Sequence, residues 1–338
     1  MKPGCAAADE RLDVSVALIT YNHERFVAQA IDSVLEQRGV RLELLIAEDR
    51  STDATRRIVE DYARRHPGLI RLFLSPRNLN TNEVLSRPIE AARGRYVALL
   101  DGDDYWTSPH KLRTQVEALD AHPGWAICFH NATVVHDDGT PPHPFHLSRP
   151  VHRVSRPLPA PLTTLADIAP GNYMQTCTVM FRRGLFGAFP PWYAGFVVGD
   201  WPLHVLNAQH GSIGYLDETL AAYRVHAGGL WSNGMSRYER RQWVDALADA
   251  YRVLDEHLDG RFHAEFRRRV TNLYLDAATA AHAAGRTGDA VHHARRYLAL
   301  LPLGARLLPG PLFRTIVRSW RGRPSRRGAS SLPARDPA

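Results

Sequence analysis

Residues 14–37 read VSVALITYNHERFVAQAIDSVLEQ, residues 41–65 RLELLIAEDRSTDATRRIVEDYARR, and residues 94–106 GRYVALLDGDDYW. Each begins with a short apolar run that stops at polar residues. Val14–Thr20, Leu42–Ala47 and Arg95–Leu100 have the length and β-branched content of buried strands. Between them the period changes from two to near four. Phe26, Val27, Ala30, Ile31, Val34 and Leu35 share one face of a helix over Glu24–Gln37, and Ala54, Ile58 and Tyr62 one face over Asp53–Arg65. Ile70–Leu74 reads as a further strand and Val84–Ala92 as a short helix. Strand–helix alternation of this kind predicts an α/β fold with a mostly parallel sheet flanked by helices.

A helix from Pro109 to Ala121 comes next, with Ser108–Pro109 as its N-cap and first position, then a strand over Trp125–Val135 in a mixed sheet. Seven prolines between Pro141 and Pro161 predict a loop. Met174–Arg182 is expected as a strand, Pro202–Gln209 as a helix, and Ile213–Leu216 with Leu220–Val225 as a strand pair. After Ser236 the composition shifts to Ala, Arg, Leu and His at helical spacing, and Tyr274–Leu301 resembles one helical hairpin. The predicted organisation is a polar N-terminus (1–12), an α/β domain (13–232, with halves at about 13–135 and 160–232), an all-α extension (236–322) and a basic disordered tail (323–338).

With 44% hydrophobic and 23% charged residues, the 338-residue chain has a globular composition. No apolar run approaches the ~20 residues of a spanning helix, and residues 1–13 lack a signal core. Cys5, Cys128 and Cys177 are too scattered for a zinc site, which fits a cytoplasmic setting. A net charge of +7 suits nucleotides or anionic lipid without choosing between them. No nucleic-acid motif accompanies it. Pro311–Trp320 places apolar residues opposite arginines, as in a helix lying on the inner face of a plasma membrane, although packing against protein is the simpler expectation.

Ligands of an open parallel sheet bind beyond the carboxyl ends of its strands. Right-handed crossovers bring Thr20–Tyr21–Asn22, Glu48–Asp49 and Asp101–Gly102–Asp103–Asp104 to one edge. Three carboxylates within four residues repel one another unless a cation is near, and oxygen ligands suit Mg²⁺ or Mn²⁺. An acidic turn capping the next helix is the alternative. Tyr21 is either a core aromatic or a surface for stacking a base. Asp49 is either a turn former or an acceptor for a base N–H.

TYN, EDRSTD and DGDDYW, in this order and spacing, resemble the family 2 glycosyltransferases of GT-A fold, over roughly residues 12–232. The resemblance implies that Thr20, Tyr21, Asn22, Glu24, Asp49, Asp101 and Gly102 hold a nucleotide-sugar donor, a UDP-sugar by default. It implies a metal on Asp101, Asp103 and His226, and a catalytic base at Asp200; judged alone, His226 reads as a structural histidine and Asp200 equally as a cap for the helix at Pro202. It further implies an inverting transfer to a saccharide or lipid-linked hydroxyl in cell-surface polysaccharide synthesis. Asp104, Trp106, Gln175, Trp201 and Trp231 are candidates for the acceptor side, with Asn172, Trp192 and Ser232 beside them, although core packing is the simpler expectation for each tryptophan. Glu48–Asp49–Arg50 departs from the family's usual two aspartates and glycine. A nucleotidyltransferase on a similar sheet, or an inactive nucleotide-sugar-binding protein, are the rival readings.

Overall fold

The computed structural model describes residues 12–145, 162–229 and 241–301. The expected membrane-surface helix at 311–320 and the basic tail lie outside these residues, as does most of the proline-rich loop.

Strands β1 (Val14–Thr20), β2 (Leu42–Glu48), β3 (Ile70–Leu74) and β4 (Tyr96–Asp101) pair in parallel in the order β3-β2-β1-β4. Val14, Val16, Leu18, Leu44, Ile46, Ala98 and Leu100 are buried, because helices cover both faces of a parallel sheet. Those helices are α1 (Val27–Leu35), α2 (Thr55–Arg65), α3 (Glu83–Glu90) and α4 (Lys111–Ala121). Beyond β4 the sheet continues through β9 (Met180–Arg182), β6 (Trp125–His136) and β10 (Ser212–Val225) to β5 (Tyr105–Trp106). The strand β9 is antiparallel to both β4 and β6, while β6 and β10 are parallel. Six long strands therefore share one direction, and their carboxyl ends form one edge. Two-residue strands β7 (His143–Pro144) and β8 (Leu162–Thr163) pair with β6 and β10.

Three expectations need correction. Only Met180–Arg182 of the expected 174–182 strand is extended, after a 3₁₀ turn at Thr176–Thr178. The Thr178 hydroxyl donates to the Gln175 carbonyl, a local bond that competes with strand pairing. The expected strand pair is one strand, β10, whose register against β6 slips near Leu216–Ala221, as at a bulge. Finally, α4 starts at Lys111 rather than Pro109. Ser108 Oγ accepts the His110 N–H, and the Leu112 N–H is taken by Gln37 Oε1 from outside the helix.

At the amino ends of the strands Glu43, 1% exposed, accepts bonds from the Ser15 hydroxyl, the Arg93 N–H and guanidinium, and Arg71. Gly94 lies so close to β1 that a Cβ would come within 2.5 Å of the Ser15 nitrogen. At the head of α4, Lys111 is fully buried, its Nζ 4.1 Å from the centre of the Trp106 ring and without a hydrogen-bond partner. Lys2 and Lys111 are the only lysines in the chain; every other cationic side chain of the 42 is arginine.

The described residues divide into two compact units. The first holds the sheet, the short helix α5 (Leu165–Ile168), α6 (Asp200–Ala208) and residues 249–265. Tyr251 in that last segment packs edge-on against Trp201 at 4.9 Å and donates its hydroxyl to the Pro170 carbonyl. The second unit holds residues 241–248 of α7 (Arg241–His257), residues 266–283 of α8 (His263–Ala283), and α9 (Thr287–Leu300). Here Ala278, Ala281, Ala290 and Ala294 form a buried cluster in which two helices approach closely, joined through Gly285 at φ +73°.

Candidate functional site

The site begins where β1 and β2 end. Asn22 and Arg50 both take left-handed backbone, at φ +56° and +61°, which ends each strand in a tight turn. The two turns are stitched together. Asn22 Oδ1 accepts the Thr52 N–H at 2.8 Å, Ser51 Oγ accepts the Asn22 N–H, and Thr55 Oγ1 accepts the His23 N–H. Glu24 and Asp53 exchange bonds across them: Glu24 accepts the Ala54 N–H, and Asp53 accepts the Glu24 N–H. Glu48 is buried under these turns, accepting the Ser51 N–H and pairing with Arg56. Tyr21 is left 40% exposed at the mouth. Asp49 is nearly buried, and its two carboxylate oxygens accept the Leu79 and Asn80 N–H groups at 2.9 and 3.2 Å. Each oxygen keeps a second lone pair.

The acidic loop after β4 lies against the first turn. The Gly102 N–H donates to the Ile19 carbonyl. A Cβ on Gly102 would sit 2.6 Å from Thr20 Oγ1 and 2.9 Å from His23 Nδ1, so only glycine lets the loop approach. Asp103 Oδ2 is 3.1 Å from His226 Nε2 and 3.7 Å from His23 Nε2. Burial works against its charge, but the His226 bond and the nearby His23 outweigh that and hold its pKa below the ordinary value. Asp101 behaves oppositely. Loss of hydration, then the charges of Asp103 and Asp200, push its pKa well up, against a bond from Thr176. Asp104 is buried, accepts the Arg224 N–H at 2.8 Å, and is pushed up by burial and by Asp103 and Asp101. Arg224 also donates to the Asp103 carbonyl and to Gln29, and its guanidinium lies over Phe26.

Asp200 opens α6. Its Oδ1 accepts the Trp201 N–H at 2.7 Å and its Oδ2 the Asn172 amide at 2.6 Å. Burial raises its pKa, and those two bonds only partly offset the rise. The approach to Asp200 is fixed by Asn82, whose amide nitrogen contacts the carbonyls of Tyr193, Phe196 and Val198 within 3.0 Å. Crowding at Asp101 fits a divalent cation: a carboxylate that resists ionisation beside two others is relieved by positive charge.

The structure thus brings Thr20, Gly102, Asp101, Asp103, His226 and Asp200 together, with Tyr21, Asn22, Glu24 and Asp49 on the adjoining turns. The acceptor-side candidates divide by burial. Trp106 and Trp201 are 4% and 3% exposed, and their indole N–H groups donate to the Cys177 and Ile168 carbonyls, so both are core residues. Asp104 is likewise buried. Gln175 lies in the turn that carries Thr176, and Trp192 is half-buried against Phe196. Trp231 and Ser232 lie outside the described residues. Sequence reasoning passed over His23, Thr176 and Arg224. The histidine stands directly after the TYN motif, which was the one available signal; the other two meet the acidic loop from distant segments.

Residues 15–187 match the model of a family described as glycosyl transferase family 2. An uncharacterised protein of Mycobacterium tuberculosis (strain ATCC 25618 / H37Rv) is 37% identical over 236 residues, which is 68% of this chain and 63% of that protein. The chain thus spans less than two thirds of that relative's length. The putative teichuronic acid biosynthesis glycosyltransferase TuaG of Bacillus subtilis is 30% identical over 223 residues, 65% of this chain and 82% of the relative. Among solved structures, a mannosyltransferase of Pyrobaculum calidifontis in complex with GDP-Man and Mn²⁺ superposes with a TM-score of 0.54 at 19% identity, covering 94% of this chain and 89% of that one. Residues 1–349 of S. aureus TarS in complex with UDP-GlcNAc give 0.52 at 19% identity, covering 92% and 90%. The shared fold is the mixed, mostly parallel α/β sheet of the GT-A glycosyltransferases.

Proposed function

The chain belongs to glycosyl transferase family 2, and from that premise we propose that it moves a sugar from a nucleoside diphosphate donor to an acceptor hydroxyl with inversion. The observation that carries this reading is the acidic loop that follows β4 at the carboxyl edge of the sheet, where the charges of Asp103 and Asp200 act on the buried Asp101. Asp101, Asp103 and His226 would hold Mg²⁺ or Mn²⁺, which when bound neutralises charge on the departing diphosphate.

The remaining steps belong to the side chains. Exposed Tyr21 offers a face for the base, Asp49 on the neighbouring turn offers acceptors for its N–H groups, and the bonds of Asn22 and Glu24 tie the two turns together. Asp200 takes the proton of the acceptor hydroxyl as its oxygen bonds to the anomeric carbon. The carbon–oxygen bond to phosphate breaks on the opposite side, and its electron pair leaves with the diphosphate. A base whose pKa is raised by burial accepts a proton more readily than an ordinary aspartate, and the Asn172 amide holds it in place. A UDP-sugar is the default donor, with GDP- and dTDP-sugars as alternatives; a saccharide or lipid-linked acceptor of the cell surface is the expected partner. Among the described residues no helix is long and apolar enough to cross a membrane. The setting we propose is the cytoplasm or the inner face of the plasma membrane.

The test is a panel of UDP-, GDP- and dTDP-sugars with Mn²⁺, Mg²⁺ or chelator, using wild type, Asp103→Ala and Asp200→Asn. Metal-dependent release of one nucleoside diphosphate, lost in Asp103→Ala, is expected. Absence of any metal-dependent nucleotide binding by calorimetry would overturn the proposal.

A further inference from the structure

The second unit contains a polar cluster that the transfer reaction does not use. Asp245 on α7 accepts the Tyr274 hydroxyl of α8 at 3.0 Å on Oδ1, and its Oδ2 lies 2.8 Å from His292 Nε2 on α9. His293, the next residue, is 1% exposed, and its Nδ1 meets no hydrogen-bond partner. A buried imidazole nitrogen with nothing to bond to is costly and calls for a partner. One ligand atom from each of Asp245, His292 and His293 lies within 4.8 Å of the others. Among the described residues this is the one group of His, Cys, Asp or Glu side chains so gathered.

We propose that Asp245, His292 and His293 form a binding site for a zinc-class transition metal ion, separate from the sugar-transfer site. Two imidazoles with one carboxylate suit Zn²⁺, Co²⁺ or Ni²⁺, whereas Mg²⁺ prefers oxygen alone. Zinc bonds of about 2.0–2.1 Å need ligand atoms roughly 3.4 Å apart, a contraction within reach of side-chain rotation. Water completes the coordination. Tyr274 acts on the coordinating carboxylate from outside, leaving Oδ2 to the ion. Arg296 Nε lies 4.0 Å from Asp245 Oδ1 but is 58% exposed and free to turn away; Arg241 also acts on His293. All three ligands lie within one compact unit, so the proposal does not depend on the glycosyltransferase reading. Bound metal would link α7 to α9.

Co²⁺ titration of the full chain, stripped with chelator, tests it, because tetrahedral nitrogen-rich cobalt absorbs strongly in the visible and octahedral oxygen-ligated cobalt does not. One equivalent of Co²⁺ should give that band, and one equivalent of Zn²⁺ should abolish it. Asp103→Asn should keep the band. His292→Gln and His293→Gln should each weaken Co²⁺ binding at least tenfold. If His293→Gln fails to fold, judged by circular dichroism without metal, Asp245→Asn replaces it. A wild type without the band, or a band that survives both histidine substitutions, overturns the proposal.

Discussion

Replacing Lys111 by methionine keeps the unbranched stem and removes an amine that is fully buried without a hydrogen-bond partner. Burial lowers the pKa of that amine from 10.5 to about 7, against the small raising effects of Cys128 and Cys177. In the unfolded chain the amine stays protonated up to about pH 10.4, so between these values the unfolded state binds the extra proton and stability climbs with pH. At pH 7 the linkage costs the wild-type fold about 4 kcal/mol, and at pH 9.5 about 1.4 kcal/mol. The Trp106 face beneath the ammonium recovers up to ~2 kcal/mol of the cost at low pH. Lys111→Met is therefore expected to be more stable by about 2–4 kcal/mol at pH 7, with most of the gain gone by pH 9.5. Urea unfolding of both proteins at the two pH values measures it. A variant less stable than wild type at pH 7, or a gap that does not change with pH, would show that burying the Lys111 amine does not cost the fold stability.

Gly102→Ala drives a methyl into Thr20 and His23 at 2.6–2.9 Å. Unfolding should cost about 1–3 kcal/mol less, and calorimetry should show metal-dependent nucleotide affinity falling at least tenfold. Asp200→Asn should lower kcat by about 10²–10⁴ while leaving donor affinity nearly unchanged. As the proposed base Asp200 has to be ionised, and burial raises its pKa, so wild-type kcat should rise with pH through a limb above about 3.9, the ordinary aspartate value, and the variant should lack that limb. Glu43→Ala removes the shared acceptor of Arg93, Arg71 and the Ser15 hydroxyl and should destabilise the fold by about 1–3 kcal/mol, because both arginines keep partial access to water. Burial would raise the Glu43 pKa, but those donors lower it on balance. The advantage of Glu43 over Gln should therefore hold above about pH 4.3 and shrink below it, measured by chemical denaturation.

The strands from Val14 to Asp101 were legible because parallel strands buried on both faces carry near-continuous apolar runs, and polar residues mark where each emerges. The same logic found Asp101, Asp103 and Asp49. It could not find what those carboxylates touch. Arg224 reaches Asp104 across 120 positions, and Asn172 reaches Asp200 across 28. Neither pairing leaves a local periodic trace. The tryptophans stayed open for a related reason: an indole suits a sugar face as well as a core, and the carbonyls meeting Trp106 and Trp201 bear out the simpler expectation of core packing. At the head of α4, Ser108–Pro109 has the right residue types for a helix start. The structure begins the helix later because Gln37, far away in sequence, satisfies its first turn.

The scarcity of lysine gives the fold a built-in clock. A protease that cuts only after lysine has two addresses in the chain, Lys2 and Lys111, and the second is sealed inside the unit that holds the sheet, one element downstream of the acidic loop. Cleavage between Lys111 and Leu112 requires that junction to open. When reclosing outpaces cutting, the rate at which the two fragments appear counts the open fraction directly. Ligands that settle on the acidic loop should slow that clock, which turns one peptide bond into a gauge of occupancy needing neither label nor turnover.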